Sequence, residues 1–200
     1  MGVVMDRRAR LSAPQRREQL LAVAGDKFAT HGFHTLSMES IAEAAGVSKP
    51  VLYQHFPSKR ALYIALVDEA TEELQRRVTS ALEGTTDNRA RVRGAISAFF
   101  EFCEDQRFRL LFLTADFADE EIAQRVDAAK QGVAEAVAKL IAADAGLSQA
   151  GAELLATGVR GLAIAGATWW VDHPDISADD AVDLLARLLW RGLGGFERTD

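Results

Sequence analysis

Apolar residues recur along the chain at intervals of three and four and in no segment at every second residue, so the sequence predicts helices and no strands. Leu20, Leu21, Ala24 and Phe28 form the first stripe, which starts at Ala13 and breaks at His31-Gly32, with Phe33 covering the turn. A shorter stripe of Met38, Ile41, Ala42 and Ala45 ends at Gly46, a residue able to adopt positive φ. Ser48 then stands as a cap and Pro50 in the first turn of the next helix, whose Leu52 and Phe56 point back to the core. Ser58 caps a long helix carrying Tyr63, Val67, Ala70, Leu74, Val78 and Ala81 as far as Glu83-Gly84. Val92, Ile96, Phe99, Phe100 and Cys103 mark another helix, and Phe108, Leu111, Phe112 and Phe117 a shorter, broken one. An alanine-rich helix follows over residues 119–145, then a last pair over residues 148–170 and 177–192, separated by Asp172-His173-Pro174-Asp175. The expected fold is all-α, with about nine helices in two modules: residues 1–57, including a mobile arm at 1–12, and residues 58–200.

Charge sharpens this division. The formal net charge is −6, yet residues 1–60 hold nine Lys/Arg against five Asp/Glu, while residues 61–200 hold fourteen against twenty-four. A basic end and an acidic body are an arrangement that orients a protein on a polyanion. Arg7, Arg8 and Arg10 lie in the arm, which reads either as a disordered tail or as a segment that follows the minor groove. Cys103 is the single cysteine, so one chain can form neither a disulfide nor a Cys-based zinc site. The first residues contain no apolar signal region, and the longest uncharged stretch, residues 161–171, is shorter than the roughly 20 residues of a membrane span. A cytoplasmic protein without a membrane segment is expected. His31 and His34, with Glu39 nearby, lack a full ligand set, so neither metal nor cofactor is expected. No G-x-G-x-x-G, P-loop, G-x-S-x-G or H-E-x-x-H motif occurs, which leaves an enzyme of unknown type only as a remote alternative.

The informative stretch is residues 35–59, two short helices meeting at a glycine and leading into a third, with Thr35 or Ser37 placed to cap the first. Lys49, Pro50, Val51, Tyr53, Gln54 and His55 remain on the outer face of the second helix, a set of donors and small apolar groups suited to the major groove. The run A-G-V-S-K-P-V-L-Y-Q-H-F-P-S-K-R-A-L resembles the signature of the tetracycline-repressor (TetR) family of bacterial transcriptional regulators, over roughly residues 17–66. The resemblance implies a regulator, most simply a repressor, that binds a palindromic double-stranded DNA operator as a homodimer. A small apolar or amphipathic effector is then expected to release it. By the same resemblance Thr35, Ser37, Ser48, Tyr53, His55 and Lys59 hold phosphates, while Lys49, Pro50, Val51 and Gln54 face base edges. Side-chain chemistry agrees: Gln54 suits adenine, Lys49 guanine, and Pro50 or Val51 a thymine methyl. Glu39 stands where the family's namesake reads a base with arginine, so a different operator is expected.

In the penultimate helix Leu155, Val159, Leu162 and Trp169 form one apolar stripe, and Gly158, Gly161 and Ala165 form a stripe of small residues beside it. The last helix carries Ala181, Leu184, Leu185, Leu188, Leu189 and Trp190. Helices apolar on so much of their circumference are buried either in one core or by a second copy, and the resemblance favours a dimer through these two helices. Gly158, Gly161, Ala165, Leu184, Leu185, Leu188 and Leu189 are the candidate interface. Six of the ten phenylalanines fall between Phe99 and Phe117, which suits plain core or a pocket wall. Phe99, Phe102, Cys103, Phe112, Phe117 and Trp169 are the candidate wall, with Arg160 an anchor for an anionic head. A DNA-binding protein with no ligand response, or with its ligand as co-repressor, is the alternative.

Overall fold

The structure, a computed structural model, describes residues 11–108 and 120–193. Among these residues there are helices and no strands: α1 (Ala13–His31), α2 (Met38–Ala44), α3 (Lys49–His55), α4 (Lys59–Glu83), α5 (Asn88–Glu104), α6 (Glu120–Ala145), α7 (Gln149–Val171) and α8 (Ala178–Leu193). Residues 106–108 are helical, and residues 109–119 lie outside the described residues. Phe112, Phe117 and residues 1–10 of the expected arm lie outside them too. Ser12 belongs to no arm. It caps α1, accepting from Gln15 N at 3.4 Å, while the Gln15 side chain accepts from Ser12 N at 3.0 Å.

The chain divides into two compact units, Met1–Leu66 and Val67–Asp200, the division falling inside α4. In the first, Leu20, Ala24 and Phe28 of α1 pack with Met38, Ile41 and Ala42 of α2, Leu52 of α3, and Leu62 and Tyr63 of α4 in a dry core. Phe28 meets Tyr63 edge to face at 5.0 Å and stacks on Phe33 at 5.9 Å, so the turn after α1 is held by aromatic contact. Gly32, at φ 75°, lets the chain leave α1.

In the second unit α6 packs along α7, and α8 lies against α5 and α7. The α6–α7 seam is made of small residues, with Ala138, Ala152 and Ala156 buried together and Val137, Ile141 and Ala142 packed at their edge. Small side chains let two helix backbones approach closely and leave little room for voids. Arg93 ties α8 to α5, reaching Asp179 at 2.5 Å and Asp183 at 2.7 Å. Arg91 closes the α4–α5 turn, donating to Leu82 O at 3.1 Å, Thr85 O at 2.8 Å and Asp144 of α6 at 3.3 Å.

Candidate nucleic-acid interface and cavity

The reading pair is shaped by its caps. Ser37 accepts from Ser40 N at 3.1 Å, and Ser40 Oγ accepts from Ser37 N at 3.2 Å, a reciprocal cap that starts α2. Gly46, at φ 65°, ends it; a Cβ there would meet nothing within 4 Å, so the backbone alone asks for glycine. Ser48 occupies the N-cap of α3 with extended backbone, but its side chain makes no capping bond, which corrects the expectation of a hydroxyl cap. Its exposed hydroxyl stands beside the outer face of α3.

Leu52 and Phe56 are buried and hold α3 to the core, which leaves Lys49, Pro50, Tyr53 and Gln54 exposed and Val51 and His55 half-buried. Thr35 and Ser37 are exposed at the start of α2. Arg17, which the sequence pattern does not single out, clamps the end of α3: its guanidinium lies 4.3 Å from the Phe56 ring centroid and donates to His55 O at 3.2 Å. Lys59 faces inward. Its ammonium donates to Phe33 O and Leu36 O, each at 2.8 Å, and sits 4.5 Å from the Phe33 ring centroid. Lys49 forms an ion pair with Glu39 of α2, both side chains remaining exposed. Hydrogen bonding and charge from Lys49 hold the Glu39 carboxyl below its ordinary range, and Glu39 raises the Lys49 ammonium in return.

The second unit contains two apolar cavities that share a wall. One, of about 60 Å³, is lined by Leu74, Val78, Phe99, Ile164, Lys130 and Arg160, and the surface it presents is almost wholly apolar. The other, of about 370 Å³, runs between Leu82, Val92, Leu140, Ile141, Leu155 and Trp190, with Arg91 and Asp144 at its polar end. Ala95, Val137 and Val159 line both. Burial lowers the Lys130 ammonium; Asp127 opposes this, and the charge of Arg160 adds to it. Of the expected wall, Phe99 and Arg160 line the smaller cavity. Phe102 and Cys103 are fully buried core, Phe102 stacking on Phe108 at 5.0 Å, and Trp169 is exposed, stacked on His173 at 3.7 Å.

One face of α7 is apolar and open. Leu154 is 73% exposed, Trp169 49%, and Leu184 and Leu188 of α8 are 53% and 61%. Gly158, Gly161 and Ala165 are exposed beside them, while Leu185 and Leu189 are half-buried. A Cβ on Gly158 or Gly161 would meet nothing within 4 Å, whereas one on Gly166 would stand 2.5 Å from Leu185 Cδ1. Gly166 therefore serves packing inside the protomer, and the other two do not. By length and composition α7 is long and apolar enough to cross a membrane, although Glu153 and Arg160 interrupt it.

A helix-turn-helix with an outward set of base-compatible side chains, continued by a helical unit of its own, defines the class of helix-turn-helix transcriptional regulators. Residues 20–66 match the family described as bacterial regulatory proteins, tetR family, and residues 77–199 match the tetracyclin repressor-like C-terminal domain, so the chain belongs to the TetR family and is a regulator, not an enzyme. It is 40% identical over 188 residues to the HTH-type transcriptional activator FasR of Mycolicibacterium smegmatis, covering 92% of this chain and 85% of that one. Among solved structures, a TetR-like transcriptional regulator from Rhodococcus sp. RHA1 is similar with 28% identity and a TM-score of 0.71, over 93% of this chain and 100% of that one. The regulator FadR of Bacillus subtilis, solved in complex with stearoyl-CoA, shares the fold with a TM-score of 0.72 at 19% identity, over 86% and 96% of the two chains.

Proposed function

We propose that this regulator binds a two-fold symmetric DNA operator in the cytoplasm as a homodimer and that a ligand with a long apolar chain controls it. The observation that carries the DNA reading is the outer face of α3, where Lys49, Pro50, Tyr53 and Gln54 are exposed while Leu52 and Phe56 anchor the helix. One such helix reads too few base pairs for useful discrimination, and two-fold pairing through the open faces of α7 and α8 doubles the site. The apolar cavities support the ligand: the larger lies within the roughly 300–1,000 Å³ of small-molecule sites, and Arg91 and Asp144 are the charged residues in its lining. The stearoyl-CoA held by a protein of the same fold gives the chain length to try first.

Occlusion of a promoter by the bound dimer makes the protein a repressor. The name of its M. smegmatis relative favours a second reading, in which the bound dimer assists transcription. The test of operator binding is selection from a random duplex library, with the enriched half-sites expected one helical turn apart, roughly 34–36 Å, or a multiple of it. Gln54→Ala is expected to lose about 1–3 kcal/mol of discrimination at one position of each half-site while its binding to arbitrary DNA persists. Enriched sites without symmetry, or equal losses on selected and arbitrary DNA, sink the reading.

A further inference from the structure

The ion pair between Glu39 and Lys49 sits on the surface assigned above to DNA. A carboxylate there repels phosphate, and both partners are exposed, so the pair contributes little to folding. Lys49 is the first residue of α3, where side chains of a reading helix reach base edges. A lysine is a point charge on a flexible stem, and left alone it settles on any nearby phosphate. Glu39, ten residues earlier and in the first turn of α2, is the group that restrains it.

We propose that Glu39 is a specificity-determining residue acting with Lys49: the pair meets the major-groove edge of one G·C base pair as a unit. That edge offers the guanine O6 and N7 acceptors to an ammonium and the cytosine N4 donor to a carboxylate, side by side. An A·T pair places the thymine O4 acceptor and methyl group where the carboxylate needs a donor. Glu39 thus performs two tasks: it accepts from cytosine, and it keeps Lys49 off the phosphates that every sequence presents. The inference rests on the reading of α3 as a DNA-facing helix.

The test uses the full-length protein, Glu39→Gln, Lys49→Gln, the double variant, and Glu43→Gln as a control for an exposed α2 carboxylate without the pairing. Each is put through selection from a random duplex library and a salt titration on one 30-base-pair duplex of arbitrary sequence. The unmodified protein is expected to require G·C at one position of each half-site, and Glu39→Gln to relax that preference at least about tenfold. Glu39→Gln is also expected to bind the arbitrary duplex more tightly, with a log–log salt slope steeper by about one, because Lys49 now reaches a phosphate. That gain must vanish when Lys49 is already glutamine. If Glu43→Gln produces the same gain, or if the gain persists without Lys49, the carboxylate acts only through its field and the inference fails. Retention of the G·C preference by Glu39→Gln overturns it as well. An unmodified protein that enriches no sequence removes the DNA reading itself; one that enriches a symmetric site lacking the G·C position removes only the role of the pair.

Discussion

A lysine four residues beyond a reading helix is easily counted among phosphate ligands, yet the Lys59 ammonium is engaged by Phe33 O and Leu36 O on the turn between α1 and α2. Charge-assisted bonds of this kind, partly buried, make Lys59 a fastener within the N-terminal unit. Lys59→Ala is expected to lower the stability of that unit by about 2 kcal/mol, as read from urea unfolding. Lys59→Met keeps the stem against Phe33 but not the bonds, and is expected to recover only part of the loss. An unchanged unfolding midpoint together with a flattened salt slope on DNA would instead return Lys59 to the phosphate ligands. Arg17, from α1, fastens the end of α3 by a solvent-exposed bond to His55 O and by its contact with the Phe56 ring, so the reading helix is held by a cation remote from it in sequence.

At the scale of the helix, the open face of α7 invites a direct trial. Gly161→Glu adds a charge where a Cβ meets nothing within 4 Å, and glutamate favours helix over glycine by about 0.5–1 kcal/mol, so the protomer keeps its fold. Sedimentation at micromolar concentration is expected to show dimers for the unmodified protein and monomers for this variant; persistent dimers would place the interface elsewhere. One end of each of α1, α2 and α4 was legible in the sequence because Gly32, Gly46 and Ser58 stop or start helices by local chemistry, and the start of α3 because Pro50 suits a first turn, although the Ser48 side chain makes no capping bond. The buried face of α7 was not. Hydrophobicity ranks Leu155, Val159 and Leu162 above alanine, but α6 approaches so closely that Ala152 and Ala156 are what it covers. Phe102 was illegible for a similar reason, since helical spacing alone does not distinguish a core ring from a ring at a cavity wall. The Arg17 clamp joins residues 38 apart, and no local pattern announces it.

For the whole molecule, the segregated charge and the apolar cavities describe one device. Under the function proposed above, the basic end meets phosphate, and a ligand in the acidic body alters DNA affinity only by its preference for one of two conformations. A tenfold preference is worth about 1.4 kcal/mol in that equilibrium, whatever the total affinity. If the proposed ligand class is right, stearoyl-CoA at a hundred times its dissociation constant is expected to stabilise the protein by about 2.7 kcal/mol, read as a rise in thermal midpoint. Val159→Trp, intruding on both cavities, is expected to abolish that rise. No shift with acyl chains from 8 to 18 carbons, a range of roughly drug-sized ligands, would leave the cavities without a ligand of this class. The apolar length of α7 reaches beyond the finished regulator. To the cellular machinery that sorts nascent chains by hydropathy, α7 resembles a membrane anchor in length and composition, with Glu153 and Arg160 as its main marks of difference. In the homodimer proposed above a second copy covers its open face, so the segment stays in view only from the completion of a chain until two copies meet.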